Sequence, residues 1–131
     1  MSLKRIIETS LAPKPIGPYS QAVASGNQIY ISGQLGLDLT SYDLPDDFAT
    51  QVKNALYNLK SIVEAAGSRL DRILKVTVYL TDMNNFEKFN EVYRDFFLAQ
   101  PPAREVVEVS RLPKDALIEI SAIAFLQDSL S

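Results

Sequence analysis

The chain of 131 residues has the length of one domain, because two ordinary domains would need more. It contains no histidine and no cysteine, which excludes Ser-His-Asp and Cys-His catalysis, thiol redox chemistry, disulfides and the usual zinc sites. Thirteen basic and sixteen acidic side chains give a net charge of -3, the wrong sign for binding a phosphate backbone. Nucleic acid is therefore a disfavoured partner.

The first residues predict neither secretion nor organelle import. Residues 1–10 lack the apolar run of a secretory signal, and Glu8 is unlike the acid-poor composition of a transit peptide. No apolar run in the sequence reaches the length of about eighteen residues that a membrane span needs. We expect a soluble, cytoplasmic protein that forms a single domain over residues 1–131.

The N-terminal part of the sequence predicts three strands and one irregular segment. Lys4–Glu8 is compatible with a short edge strand. Leu11–Tyr19 carries three prolines, which favour an extended, turn-rich conformation. Gln21–Ser25 and Gln28–Gln34 flank the turn signal Gly26-Asn27 and predict a hairpin.

The apolar period changes to three or four residues after Asp46, which predicts a helix that ends at the cap residue Gly67. Ile73–Leu80 then alternates like a strand, with Leu74 expected on the same face as Val76. The residues that form the apolar face of the helix are Phe48, Val52, Ala55, Leu56, Leu59, Ile62, Val63 and Ala66.

A second helix follows, with Asp82, Asn84 or Asn85 as its cap and Pro101-Pro102 as its stop. Two strands, Arg104–Ser110 and Leu117–Leu126, complete the chain. The apolar stripe of the second helix is aromatic and consists of Phe86, Phe89, Tyr93, Phe96 and Phe97.

The order of these elements predicts an α+β fold in which two helices cover one face of a mixed sheet. The other face of Leu117–Leu126 is also half apolar, since it carries Leu117, Ile123 and Phe125 beside Glu119 and Ser121. Exposure of these apolar side chains to water would be unfavourable. We therefore expect self-association into a closed cyclic oligomer.

Several polar residues stand in apolar surroundings and are candidates for a site. Asn90 interrupts the aromatic stripe, Tyr19 follows a Gly-Pro turn, and Ser32-Gly33 interrupts an apolar strand. A glycine within a strand indicates a bulge or a close approach of the backbone. The alternative for each side chain is a structural role, in which it bonds to nearby backbone or water.

Arg104 is the strongest single candidate. It follows the stiff segment Pro101-Pro102-Ala103, and a guanidinium group suits a bidentate grip on a carboxylate. The alternative is a surface ion pair with Glu105 or Glu108. The spacing of the residues alone does not decide between the two.

Taken together, a series of motifs resembles the RidA/YjgF family of reactive-intermediate deaminases, also labelled the endoribonuclease L-PSP or translation initiation inhibitor family. The resemblance implies a chorismate-mutase-like α+β fold with ferredoxin-like βαβ elements. It also implies a homotrimer with sites in clefts between subunits. The motifs, in chain order, are Ile16-Gly17-Pro18-Tyr19-Ser20-Gln21-Ala22, Ile31-Ser32-Gly33-Gln34, Ile62-Val63-Glu64-Ala65-Ala66-Gly67, Lys75-Val76-Thr77-Val78-Tyr79-Leu80, Phe89-Asn90-Glu91-Val92-Tyr93, Pro102-Ala103-Arg104 and Arg111-Leu112-Pro113-Lys114.

The activity that this resemblance implies is hydrolysis of 2-imino acids, the tautomers of reactive enamines, to 2-keto acids and ammonia. It implies no cofactor and no metal. By position, Arg104 matches the arginine that binds the substrate carboxylate. Tyr19, Ser32 and Asn90 match pocket residues, and Gly33 matches the backbone segment that lines the pocket.

The sequence departs from the family pattern in three places. Val106 stands where the family usually has cysteine, and Ser121 stands at the second glutamate of the pattern Ile-Glu-Ile-Glu-Ala. The loop Leu98–Pro101 is shorter than in familiar members. We expect Ser121 to help to hold the attacking water, with Glu119 about 6–7 Å away on the same strand face.

Three functions are therefore open at this point. The first is a trimeric imine deaminase in which Arg104 and Ser121 are the catalytic residues. The second is a catalytically weak protein that binds or senses small 2-keto acids in the same cleft. The third, placed last because of the acidic charge and the missing histidine, is cleavage of RNA or inhibition of translation.

Overall fold

Residues 3–126 are described by the computed structural model, and their elements follow one another in the order that the sequence predicts. Residues 1–2 and 127–131 of the predicted domain lie outside this range. The strands are β1 Arg5–Ile7, β2 Ala22–Ser25, β3 Gln28–Leu35, β4 Ile73–Leu80, β5 Ala103–Glu108 and β6 Ile118–Phe125, and the helices are α1 Phe48–Ala65 and α2 Phe86–Arg94.

The strands form one mixed sheet in the order β1-β2-β3-β6-β4-β5. Only the edge pair β4 and β5 is parallel among the pairs of this sheet within residues 3–126. Both helices contribute to the same core as the buried residues of β6, such as Ile118 and Ile120. The two helices therefore cover one face of the sheet, as the sequence predicts, while Glu119, Ser121, Ile123 and Phe125 point away from them.

Local conformation agrees with the turn and cap signals. Gly26 and Gly67 have φ angles of 61° and 95°, in the left-handed region that glycine adopts without steric cost. In β3 the pairing with β6 shifts register between Ile31 and Gln34. Ser32 and Gly33 thus form the bulge that a glycine within a strand indicates.

Two details of the sequence interpretation are wrong. In β4 a register shift between Ile73 and Lys75 turns Ile73 inward and leaves Leu74 48% exposed, because a bulge inverts the alternation of the strand. The second helix ends at Arg94, well before Pro101. The aromatic period outlasts the helix because the turn that follows still packs Phe97 against Tyr93, with ring centroids 4.6 Å apart.

Within residues 3–126, neither helix combines the length and the hydrophobicity that a membrane crossing would require.

Candidate active site

Arg104 lies near the start of the edge strand β5 and points to the helix-covered face. Its register partner on β4 is Val76, which is fully buried beneath the helices, and paired residues on neighbouring strands share a face. The guanidinium carbon lies 4.9 Å from the ring centroid of Tyr93, 5.4 Å from that of Phe89 and 5.7 Å from that of Phe86. We call these three rings of α2 the aromatic floor; such contacts attract a cation.

Asn90 holds the same guanidinium from the side. Its Oδ1 accepts a hydrogen bond of 2.9 Å from Nη1 of Arg104. Asn90 lies on α2, between two residues of the aromatic floor in the sequence, so one short helix supplies both kinds of contact. Asn90 and Arg104, two candidates that the sequence selected separately, are therefore in direct contact.

The alternative ion pairs of Arg104 do not form. Glu105 pairs with Lys75 at 2.9 Å, and the hydrogen bond and charge of that lysine hold the pKa of Glu105 below its usual range. Glu108 instead accepts a hydrogen bond of 2.8 Å from the backbone of Met83. Among residues 3–126, no carboxylate forms an ion pair with Arg104. Its charge is thus available to an anion from outside the protomer.

Arg104 opens onto a cleft of about 340 Å³ between α2 and the segment that precedes β5. Apart from the two arginines, the walls are neutral. The lining residues are Asn90, Tyr93, Arg94, Phe97, Pro101, Pro102 and Arg104.

Tyr93 is buried at the base of this cleft, with 6% of its surface exposed. Burial raises the pKa of its phenol to about 12, and the charge of Arg104 opposes part of that rise. Within the described part of the chain its hydroxyl group has no hydrogen-bond partner, whereas its ring contacts the guanidinium group of Arg104.

Glu119 is an ionisable residue of β6, and the sequence favours Ser121 over it as the residue that holds the attacking water. It alternates with the buried Ile118 and Ile120, so it points to the face away from the helices. Its carboxyl group lies against Gly33, where an added Cβ would come within 2.6 Å of Cδ. Burial without a compensating charge raises the pKa of Glu119 above its ordinary value. The signal available in the sequence was Glu119 itself, a carboxylate between two isoleucines of a predicted strand.

Tyr19 and Ser32 lie near Gly33. Both Tyr19 and Gly33 line a crevice of about 20 Å³ beneath the proline-rich segment. The Tyr19 hydroxyl accepts a hydrogen bond of 3.3 Å from the backbone of Ile16, and Oγ of Ser32 donates one of 2.6 Å to the carbonyl of Ser20. Both hydroxyl groups therefore stabilise the segment that precedes β2, Tyr19 from within it and Ser32 from the bulge of β3.

Ser121 occupies a different groove on the same face as Glu119. Its partner across the sheet is Thr77, and the groove of about 170 Å³ that it lines also contains Tyr30 and Lys75. Neither Tyr19 nor Gly33 lines that groove. In the sheet register Ser121 lies opposite the Ser32-Gly33 bulge of β3, and Glu119 lies two residues before it on the same face of β6.

The predicted site residues fall into two groups within one protomer. Arg104 and Asn90 lie on the helix-covered face at the β5 edge, whereas Tyr19, Ser32, Gly33 and Ser121 belong to the β3 and β6 side. Because β6 and β4 lie between β3 and β5, Arg104 is separated along the sheet by about 14 Å from the β3 residues and by about 10 Å from Ser121 on β6. A single protomer does not bring them together.

Val106, at the position of the family cysteine, shares the face of Arg104. It pairs with Val78 and packs, half-buried, against the core. Its side chain supplies packing and no polar atom. No group of three potential metal-ligating side chains occurs in the part of the chain described, residues 3–126.

Comparison with known proteins identifies relatives along nearly the whole chain. The family model described as Endoribonuclease L-PSP matches residues 9–126. A RutC family protein of Pyrococcus horikoshii is 54% identical over 124 residues, which cover 94% of this chain and 98% of the relative. The 2-iminobutanoate/2-iminopropanoate deaminase of Dermatophagoides farinae is 41% identical over 128 residues, or 97% of this chain and 100% of that protein.

A solved structure gives the same result for the fold. The crystal structure of Escherichia coli TdcF with bound serine matches with a TM-score of 0.91 at 44% identity, and covers 94% of this chain and 99% of that chain. The α+β fold with a mixed sheet and two helices is therefore the fold of this group of proteins. The chain belongs to the RidA/YjgF family, as its motifs predict.

Proposed function

We propose that the protein hydrolyses reactive 2-imino acids, and the enamines that tautomerise to them, to 2-keto acids and ammonia. The observation that carries the proposal is the state of Arg104, an exposed guanidinium oriented by Asn90 and three rings, with no ion pair in residues 3–126. Such a group suits the carboxylate of a small substrate. A relative named as a 2-iminobutanoate/2-iminopropanoate deaminase supports the same reaction class.

We propose further that the complete site forms between subunits of a homotrimer. Arg104 and Asn90 of one protomer would meet Tyr19, Gly33 and Glu119 of the next. The separation of these groups within one protomer supports this arrangement, because a small imino acid cannot span about 10–14 Å along the sheet and the thickness of the sheet as well. The half-apolar face of β6, with Ile123 and Phe125, supports it as a surface to be buried by association.

The reaction follows from the groups on the two sides of the proposed site, the guanidinium group of Arg104 and the carboxyl group of Glu119. Arg104 binds the substrate carboxylate and fixes the position of the imine carbon. Water attacks that carbon, a new C–O bond forms, and the resulting carbinolamine loses ammonia as its C–N bond breaks, which leaves the 2-keto acid. Since an imine is already reactive towards water, positioning and electrostatic help supply much of the required rate enhancement.

Glu119 is the better candidate for the proton transfers. Its raised pKa places its protonated and ionised forms closer to balance at neutral pH, as a group that both accepts and donates a proton requires. Ser121 is the alternative, in which its hydroxyl group orients the water. Substitution distinguishes them: Glu119→Gln should lower kcat by roughly 10²–10⁴-fold, whereas Ser121→Ala should lower it by less than about tenfold. A larger loss of kcat in Ser121→Ala than in Glu119→Gln would instead assign the orientation of the attacking water to Ser121.

A coupled assay tests the reaction. A dehydratase generates 2-aminoacrylate or 2-aminocrotonate, semicarbazide traps the imine, and active protein lowers the trapped fraction. We expect activity from the wild type and from the control Arg111→Ala, whose exposed arginine pairs with Asp115, and a large loss from Arg104→Ala. A trapped fraction unaffected by micromolar wild-type protein would contradict the deaminase function.

A second function, binding or sensing of 2-keto acids without turnover, is favoured by one observation. The Arg104 cleft provides a cation and neutral walls within one protomer, so carboxylate binding needs no proton-transfer group. Calorimetry with 2-oxobutanoate measures this binding independently of hydrolysis. Binding that depends on Arg104, together with no effect in the trapping assay, would identify a binding protein.

A further inference from the structure

A second guanidinium group, that of Arg94, lines the same cleft as Arg104. Arg94 is the last residue of α2 and is exposed. It follows Asn90 by four residues, and side chains spaced by four lie on one face of a helix. Asn90 in turn is bonded to Arg104. The helix therefore directs Arg94 towards the volume that already holds the other cation.

No ion pair formed by residues 3–126 balances the positive charge of this cleft. The other lining residues are neutral. Arg94 takes no part in the ion pairs formed within residues 3–126, and its acidic helix neighbour Glu91 pairs with Lys88 at 3.2 Å. Two cations that face one volume repel each other, and an anion that contacts both relieves that repulsion. A ligand with two negative groups fits this pattern better than a ligand with one.

We propose that the cleft binds a 2-imino dicarboxylic acid, and its 2-oxo product, with the first carboxylate on Arg104 and the distal carboxylate on Arg94. This inference rests on the proposed function and names its substrate class. The apolar wall of Phe97, Pro101 and Pro102 lies in the same cleft and covers the methylene carbons between the two charged ends.

The two arginines differ in how firmly they are held, which assigns their roles. Arg104 is oriented by the aromatic floor and by Asn90, as the reacting end of a substrate requires. Arg94 has a long flexible side chain at an exposed helix end, so it adapts to chains of four or five carbons. Because Arg94 is exposed, its contribution is modest and decreases with salt.

The test is direct binding of two 2-oxo acids that each have five carbons. Calorimetry measures the dissociation constants of 2-oxoglutarate, which carries the distal carboxylate, and of 2-oxopentanoate, which lacks it. We expect the wild type to prefer 2-oxoglutarate by about three- to tenfold at low salt. Arg94→Gln should reduce this ratio to about one, and Arg94→Glu should invert it.

The matched control is Arg69→Gln, which removes an exposed arginine that pairs with Asp71 and lies outside the cleft. Its preference ratio should equal that of the wild type. Equal affinity of the wild type for both acids, or a preference that survives Arg94→Gln, would overturn the inference.

Failure of this inference is distinguishable from failure of the deaminase function. Hydrolysis of 2-iminobutanoate with equal affinity for the two oxo acids removes the dicarboxylate inference alone. A dicarboxylate preference that depends on Arg94, without any effect in the trapping assay, removes the deaminase function alone. Absence of both binding and hydrolysis overturns both.

Discussion

Arg104 and Glu119 lie on opposite faces of one sheet, and neither forms an ion pair with another residue of the range 3–126. The arginine remains exposed, and rings and an amide stabilise its charge without neutralising it. The glutamate is half-buried against Gly33, and burial disfavours its ionised form. An exposed cation without an ion pair suits the binding of an anion, whereas a buried carboxyl group suits the exchange of a proton.

Mixing of variants tests whether the two regions cooperate across subunits, and gives the largest expected effect. Arg104→Ala and Glu119→Gln should each be nearly inactive. After unfolding and refolding together in equal amounts, about one quarter of the interfaces of a cyclic oligomer would combine an intact Arg104 with an intact Glu119. Activity in the trapping assay should return to about that fraction.

Each variant refolded by itself is the control for this experiment. If the mixture stays as inactive as its components, Arg104 and Glu119 act within one protomer or do not cooperate at all. Size-exclusion chromatography with light scattering establishes the oligomeric state, and native mass spectrometry distinguishes mixed oligomers from those of a single variant by the mass of their subunits.

Gly33→Ala tests the glutamate side of the comparison. The new Cβ would overlap the flexible end of Glu119, so we expect the carboxyl group to move away at a cost below about 1 kcal/mol in the free energy of unfolding. Activity should fall by about tenfold or more because the proton-transfer group is displaced.

Gly26→Ala is a matched control for this substitution. The Cβ of the new alanine would meet nothing within 4 Å, but Gly26 has a φ of 61°. Because alanine is strained in that backbone conformation, the free energy of unfolding should fall by about 1 kcal/mol. Stability should fall while activity is retained. A Gly33→Ala variant with full activity would separate Glu119 from catalysis.

Tyr93 tests the arginine side of the comparison. Tyr93→Leu removes the nearest ring of the aromatic floor and should raise KM by about two- to fivefold with little change in kcat. Tyr93→Phe keeps the ring and removes a hydroxyl group without a partner, so KM should be unchanged. The free energy of unfolding of Tyr93→Phe should equal that of the wild type or exceed it by up to about 1 kcal/mol.

Tyr57→Leu serves as the control, since that exposed aromatic residue of α1 contacts Phe96 rather than Arg104. An equal increase of KM in Tyr93→Phe and Tyr93→Leu would assign the effect to the hydroxyl group. An unchanged KM in both would show that the ring does not position the arginine.

The pH dependence of stability gives the smallest effect. Since the folded chain raises the pKa of Glu119, the folded state binds more protons than the unfolded state between the ordinary value of 4.5 and the raised pKa. The contribution of Glu119 to stability is therefore fully present below pH 4.5 and is lost as pH rises through the raised pKa.

Urea unfolding over a pH series measures this contribution as the difference between wild type and Glu119→Gln. Glu105→Gln is the control of opposite sign, because the pKa of Glu105 is lowered, first by its hydrogen bond with Lys75. The contribution of Glu105 is lost as pH falls. A pH-independent difference for Glu119→Gln would contradict its burial as a titrating group.

Much of the fold was accessible from the sequence because it depends on local and periodic signals. The position of α1, the hairpin at Gly26 and the cap at Gly67 follow from apolar spacing and from the conformational range of glycine. The shift that turned Leu74 outward was not accessible, since the register of a strand depends on its neighbours. The end of α2 was hidden because Phe97 continues the aromatic period beyond the helix.

The sequence by itself determined the family and the order of the elements, because these depend on residue types and their spacing, and it selected Arg104 as a candidate. Only the tertiary structure decided that Glu105 and Glu108 have other partners, that Glu119 lies against Gly33, and that Arg94 shares a cleft with Arg104. The physical reason is that charge balance and burial are properties of neighbours in space. Sheet pairing and helix packing bring those neighbours together from distant parts of the chain.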